Sequence, residues 1–146
     1  MKTVEANETE NLTVRKENII TFPLGLLGFE GVKQYVLLAN PEEKPFLWLQ
    51  MLDQSTQGFV VISPSSAAPD YAPDISQQDV EFLGIKGPGD AIVLNIVTLH
   101  PNGEATVNLK GPIVINRYTL VGKQVIPANV QSFSLRHPLA PLPVAA

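Results

Sequence analysis

The segment at residues 104–117 limits the fold most, because it joins a strand pattern to a break that a strand cannot accommodate. Every second residue from 105 to 109 is apolar, which is typical of a strand with one buried face. Gly111-Pro112 then interrupts the pattern, since proline has no N–H group for a β-ladder, and the apolar residues 113–115 begin another strand. Upstream, Asn102-Gly103 favours the positive φ angles of a tight hairpin turn. Together with the apolar run before that turn, these patterns predict an antiparallel meander of three strands.

The rest of the chain repeats this pattern of short strands and turns. Thirteen prolines and ten glycines favour turns over long helices. One short helix is predicted between Ser76, which suits an N-cap, and Gly84, which suits a helix stop. We therefore expect an all-β fold: a small antiparallel β-barrel-like domain with one short helix. Its remaining strands are predicted at residues 35–38, 46–52, 59–62, 91–99 and 123–126.

The length of 146 residues fits one domain, which we place at residues 1–139. Residues 140–146 are rich in proline and alanine, and we expect a flexible C-terminal tail there. The N-terminal residues lack the apolar segment of a secretory signal, and no apolar run approaches the roughly 20 residues that span a bilayer. The sequence thus predicts a soluble, cytoplasmic protein.

Composition and spacing argue against most kinds of chemistry. The chain has no cysteine, which excludes disulfides, thiolate metal sites and a cysteine nucleophile. Its two histidines, His100 and His137, are not at metal-binding spacing, and no phosphate-binding loop or nucleophile elbow is present. A net charge of −4 without a basic stripe disfavours direct binding of nucleic acid. We expect a protein that is not an enzyme and that needs no metal or cofactor.

Two surface segments are candidates for protein recognition. Asp70, Tyr71 and Asp74 lie on a proline-stiffened loop, and a rigid loop with a tyrosine loses little entropy when it docks. The alternative is that Tyr71 folds back to cover the edge of the barrel. Arg136 and His137 form a cationic corner near the C-terminus, which either meets a partner or caps the last strand. These five residues are the predicted partner-binding set.

An ordered set of motifs runs along the chain: Ile20-Thr21-Phe22-Pro23 with Gly25, Gly28-Phe29-Glu30, residues 59–62, Pro69-Asp70-Tyr71, residues 105–117 and residues 136–139. This set resembles the family of the flagellar assembly factor FliW. The resemblance implies a β-barrel-like fold and a non-enzymatic role. It also implies two protein partners: flagellin, and the RNA-binding translational regulator CsrA. In this family, a partner switch links flagellin supply to CsrA activity and so controls flagellin synthesis.

One departure from the resemblance leaves alternatives open. Residues 65–68 read Ser-Ser-Ala-Ala, where the resemblance implies bulkier apolar or aromatic residues. If this chain has lost the contact with the regulator there, it is a flagellin-binding chaperone without regulator binding. A different alternative is a barrel that encloses a small ligand. Direct RNA binding is the alternative that the charge favours least.

Overall fold

The computed structural model describes residues 18–52 and 57–139, and strands dominate them. The predicted C-terminal tail, residues 140–146, lies outside the described residues. The two α-helices of the described part are α1 (Pro64–Ala67) and α2 (Gln77–Leu83), and short 3-10 turns lie at Pro41–Glu43, Pro88–Asp90 and Val130–Ser132. The strands are β1 (Ile19–Thr21), β2 (Gln34–Ala39), β3 (Phe46–Met51), β4 (Gly58–Ile62), β5 (Ala91–Leu99), β6 (Ala105–Val107), β7 (Ile113–Asn116), β8 (Gly122–Gln124) and β9 (His137–Pro138).

The first five strands follow each other in the sheet, and each pairs antiparallel with the next. β3 lies between β2 and β4, and Leu49 of β3 is opposite Leu37 on one side and Phe59 on the other. Both faces of β3 meet apolar residues, since Leu49 belongs to the largest core cluster and Phe46 packs against another, which explains why its sequence is apolar with little alternation. The prediction of a central strand at 46–52 is confirmed.

β5 divides the sheet into two branches. Its first half, residues 91–94, pairs with β7, and its second half pairs with β4 and with β6. β9 then pairs with β6, whereas β8 pairs with β7. The predicted meander is therefore wrong in one respect, because β6 and β7 both pair with β5 and not with each other.

A side chain explains how the chain passes from β6 to β7 without reversing. The Asn108 side-chain oxygen accepts hydrogen bonds from the backbone N–H groups of Lys110 (2.9 Å) and Gly111 (3.0 Å). This loop takes up the extra residues between the two strands, so that the chain continues along β5 in a shifted register. Gly111-Pro112 breaks the ladder as predicted, but the break is a bulge and not a turn between paired strands.

The antiparallel, mainly β class is confirmed, and the sheet is not closed into a barrel. The longer branch of the sheet runs from β1 to β9. β1 also contacts the shorter branch, at the segment before β8. The contact consists of one parallel bridge between Thr21 and Val121 and a 2.9 Å hydrogen bond from Thr21 N–H to the Leu120 carbonyl oxygen.

Three apolar clusters fill the described part of the fold. The largest lies inside the curved sheet and includes the fully buried Phe22 and Tyr35, whose rings meet edge to face at 5.3 Å. The second core cluster, which comprises Ile62, Val97, Val107 and Leu109, lies beside α1. The third lies beneath α2 and contains Leu83, Val114 and Val125.

Both helices begin and end at recognisable residues. The Ser76 hydroxyl accepts a 3.1 Å hydrogen bond from Asp79 N–H, and Gly84 ends α2 with a φ of 66°, so the predicted helix is confirmed. α1 was not predicted, since the sequence indicated a helix only between Ser76 and Gly84. Pro64 begins this single turn, and a 2.8 Å bond from Ala68 N–H to the Pro64 carbonyl oxygen closes it.

Candidate protein-binding surfaces

Tyr71 folds back onto the protein. Its hydroxyl donates a 2.7 Å hydrogen bond to the Leu109 carbonyl oxygen, and its ring meets that of Phe133 at 4.7 Å. Burial raises the pKa of Tyr71, while the neighbouring amide of Asn95, which favours the phenolate, opposes the shift. Tyr71 therefore covers the second core cluster, and the rest of its side chain is partly exposed.

Asp70 and Asp74 are exposed on either side of Tyr71. Their loop is tied to another loop through Asn129, whose side-chain oxygen accepts from Asp74 N–H at 2.8 Å and whose amide donates to the Ala72 carbonyl oxygen at 3.0 Å. A further 2.8 Å bond runs from Ala128 N–H to the Asp74 carbonyl oxygen. The two carboxylates are thus presented on a loop of fixed shape.

Arg136 and His137 lie at the start of the last strand. His137 belongs to β9, opposite Val107, and is half-buried, whereas Arg136 is exposed. The Arg136 guanidinium has no hydrogen-bond partner among residues 18–52 and 57–139, so it is available to an anionic group. It borders an open cavity of about 480 Å³, whose other lining residues are His100, Pro101, Asn102, Glu104 and Thr106.

The structure brings the two predicted segments to one strip of surface. Leu109 N–H donates to the Ser134 carbonyl oxygen at 3.0 Å, and Leu139 N–H donates to the Ala105 carbonyl oxygen at 3.0 Å. The chain from Phe133 to Leu139 therefore runs beside residues 105–109. Tyr71 contacts one end of that run, and Arg136 and His137 lie further along it.

Residues 65–68, which depart from the resemblance, are divided between the interior and the surface of the protein. Ala67 and Ala68 pack against the second core cluster, while Ser65 and Ser66 are exposed on α1. Half of the segment therefore faces the protein interior. Its exposed half consists of the two serines.

One exposed apolar surface was not predicted as a site. Leu24, Leu27 and Phe29, which we call the apolar loop patch, lie between β1 and β2 and are 53%, 60% and 40% exposed. The predicted partner-binding set includes no residue of this segment. Three large apolar residues without strand or helix periodicity were the available signal.

The described ranges contain neither a metal-ligand cluster nor a helix that could span a membrane. Within the described ranges, no group of three or more histidine, aspartate or glutamate residues is placed to hold a metal ion. The helices of those ranges are too short and too polar to cross a bilayer.

Comparison with known proteins decides the family. A family model described as FliW protein matches residues 3–139. The chain belongs to the FliW family. Two curated relatives carry the name flagellar assembly factor FliW. The one from Natranaerobius thermophilus is 38% identical over 88% of this chain and 85% of its own length, and the one from Leptospira interrogans is 40% identical over 86% and 84%.

A solved structure supports the FliW fold independently. A crystal structure of the flagellar assembly factor FliW superposes with a TM-score of 0.80 at 37% identity, and the match covers 89% of this chain and 91% of that one. The forked antiparallel sheet is therefore the fold of this family. Membership in the FliW family assigns the chain to flagellar assembly.

Proposed function

We propose that this chain is a cytoplasmic, non-enzymatic flagellar assembly factor that binds flagellin and antagonises the translational regulator CsrA. Membership in the FliW family, over residues 3–139, is the observation that carries the proposal. In the switch that we propose, free protein binds CsrA and relieves repression of flagellin synthesis. Accumulating flagellin occupies the protein and releases CsrA.

The charge of the chain supports a cationic partner. A net charge of −4 attracts an RNA-binding protein, whose nucleic-acid surface is basic. Asp70 and Asp74 are exposed on a fixed loop, and holding them there lowers the entropic cost of docking. We propose Asp70, Tyr71, Asp74, Arg136 and His137 as partner-contacting residues.

A second candidate function is a flagellin-binding chaperone without regulator binding. The observation that favours it is the small, hydroxyl-bearing surface of Ser65 and Ser66 on α1. Titration of CsrA alone separates the two candidates, because a measurable affinity rules out the chaperone-only version.

Calorimetric titration tests the proposal directly. We expect the full chain to bind flagellin and CsrA, and we expect saturation with flagellin to weaken or abolish CsrA binding. No binding to either protein would overturn the proposal. Binding of both with no effect of one on the other would remove the switch.

A charge-matched pair of variants tests the acidic loop. Asp70→Asn with Asp74→Asn should weaken CsrA binding, and the loss should shrink at high salt because the contact is electrostatic. Glu42→Gln with Glu43→Gln removes the same charge from another exposed turn and should have a smaller effect. Equal effects of the two pairs would show that overall charge matters and that the loop is not the contact.

A further inference from the structure

The apolar loop patch places three large exposed apolar side chains on one short loop. Leu24, Leu27 and Phe29 lie within six residues, and each leaves at least 40% of its area in water. Isolated exposed apolar side chains are ordinary, but a cluster of large ones on one loop marks an interaction surface. The burial of such side chains is also the main source of affinity at protein interfaces.

The loop is held so that these side chains remain exposed. Leu26, between them, is buried and anchors the loop in the core. Leu27 N–H donates to the Gln124 side-chain oxygen of β8 at 2.9 Å. The Phe29 ring meets the Phe59 ring edge to face at 5.2 Å. Because Leu26 is buried and Leu27 and Phe29 contact the sheet, the loop is held in place while Leu24 and Leu27 stay exposed.

A glycine sets the shape of the same loop. Gly25 has a φ of 69°, and a Cβ atom there would lie 2.5 Å from the Glu30 Cα atom. Only glycine fits this position, since the other residues would clash with the opposite limb of the loop. The two limbs therefore pack in one arrangement, and the patch is organised before a partner arrives, which lowers the entropic cost of binding.

The charges at the patch indicate which kind of partner fits it. Glu30 and Lys33 are the charged residues of this segment, and they are of opposite sign. The Glu30 carboxylate accepts from Gly28 N–H at 3.0 Å, and the Lys33 ammonium donates to the Glu30 carbonyl oxygen. A basic RNA-binding surface finds no excess of negative charge here. An apolar, weakly charged protein surface fits better.

A subunit that polymerises has such a surface. It buries apolar area in the polymer and leaves that area uncovered while it is unassembled. We propose that the apolar loop patch is the docking site for the apolar assembly surface of unpolymerised flagellin. This inference rests on the proposed function, and it places flagellin on a surface other than the acidic loop.

The test compares two exposed-leucine variants of the full chain. Leu24→Ser with Leu27→Ser removes apolar area from the patch and should leave the free energy of unfolding nearly unchanged, because both side chains are exposed. Leu99→Ser is the control, since Leu99 is 63% exposed at the end of β5, on the branch of the sheet with β6. Thermal unfolding verifies that both variants fold.

Titration with flagellin and with CsrA gives the result. We expect the double variant to bind flagellin about ten-fold more weakly or worse, with CsrA affinity retained and the Leu99→Ser variant unaffected. Unchanged flagellin affinity in the double variant overturns the inference and leaves the proposed function standing. Equal loss for both partners overturns the assignment to flagellin. Failure of the unmodified chain to bind flagellin overturns both proposals.

A second copy of the chain is the competing occupant of the apolar loop patch. Size-exclusion chromatography with light scattering detects such self-association. We expect a monomer at the concentrations of the titration. A dimer that the Leu24→Ser, Leu27→Ser variant dissociates would assign the patch to a second copy of the chain and overturn the inference.

Discussion

The hydroxyl of Tyr71 donates a 2.7 Å hydrogen bond to the carbonyl oxygen of Leu109, which lies 38 residues further along the chain. Leu109 is at the loop between β6 and β7, so this bond fastens the 69–75 loop to the point where the sheet forks. Tyr71 thus has a structural role whether or not a partner also contacts it.

Replacement of Tyr71 by phenylalanine should destabilise the protein by about 1 kcal/mol, because the Leu109 carbonyl loses its hydroxyl donor while the ring packing on Phe133 remains. Tyr71→Ala should cost more, about 3 kcal/mol, since the ring contacts are lost as well. Urea denaturation measures both changes. A free energy of unfolding that is unchanged in Tyr71→Ala would contradict this role.

Replacement of Tyr35 by phenylalanine should have the opposite sign. Tyr35 is fully buried, and its hydroxyl has no hydrogen-bond partner in the described part of the chain. Removing a buried, unsatisfied hydroxyl should raise the free energy of unfolding by about 1 kcal/mol. Urea denaturation beside Tyr71→Phe makes the comparison, and destabilisation in Tyr35→Phe would show that its hydroxyl has a partner after all.

Stability should fall at alkaline pH because burial raises the pKa of both Tyr35 and Tyr71. The folded state holds these protons more tightly than the unfolded chain, whose tyrosines ionise near pH 10. The contribution is therefore complete below about pH 10 and is lost as the pH rises through the folded-state pKa values. Urea denaturation between about pH 8 and 11 should give a shallower decline for Tyr35→Phe, Tyr71→Phe than for the unmodified chain. Identical declines would contradict the assignment.

Asn116 should be the most sensitive polar residue of the described core. Its side-chain amide donates to the Leu83 carbonyl oxygen at 2.8 Å, and its side-chain oxygen accepts from the N–H groups of Tyr118 (2.9 Å) and Thr119 (3.2 Å). Asn116→Ala should cost about 2–4 kcal/mol, since it removes these hydrogen bonds and takes a side-chain donor away from the buried Leu83 carbonyl. Asn102→Ala is the control, because Asn102 is exposed and its side-chain oxygen accepts one bond, from Glu104 N–H. Equal losses of thermal stability would refute the prediction.

The ion pair between Asp79 and Lys123 should contribute a coupling of about 1 kcal/mol. The pair joins α2 to β8, with side chains 10% and 25% exposed, and the Lys123 ammonium also lies 5.4 Å from the centre of the Phe82 ring. Asp79→Asn, Lys123→Met and the double variant form the thermodynamic cycle. A coupling near zero would show that desolvation offsets the attraction.

The elements that the sequence predicted correctly are those with local causes. α2 needs a Ser76 cap and a Gly84 stop, and both signals lie within the helix and its neighbours. β5 was predicted at residues 91–99 because nine consecutive residues are mostly apolar and bounded by turns. The forked sheet was not predicted, since the Gly111-Pro112 break shows where pairing stops but not which strand pairs next.

The candidate sites also divide into local features, which the sequence predicted, and contacts that only the folded chain shows. The sequence placed Asp70, Asp74 and Arg136 on surface segments, because charge and proline content are local properties, and the structure shows all three exposed. It left two roles open for Tyr71, contact with a partner or cover of the edge of the sheet. In the structure, the Tyr71 hydroxyl donates to the Leu109 carbonyl oxygen. Their contact with a partner protein stays a prediction.

By itself the sequence determined most of the strands, the capped helix α2 and the membership in a family, because hydrophobic alternation, capping residues and ordered motifs can be recognised along the chain without knowledge of the fold. Only the tertiary structure decided that β6 and β7 share β5, that Tyr71 reaches Leu109 and that Leu24 and Leu27 remain exposed. Each of these depends on contacts between residues far apart in the chain. Such contacts form where the whole fold buries the most apolar area and satisfies the backbone, and no local pattern specifies them.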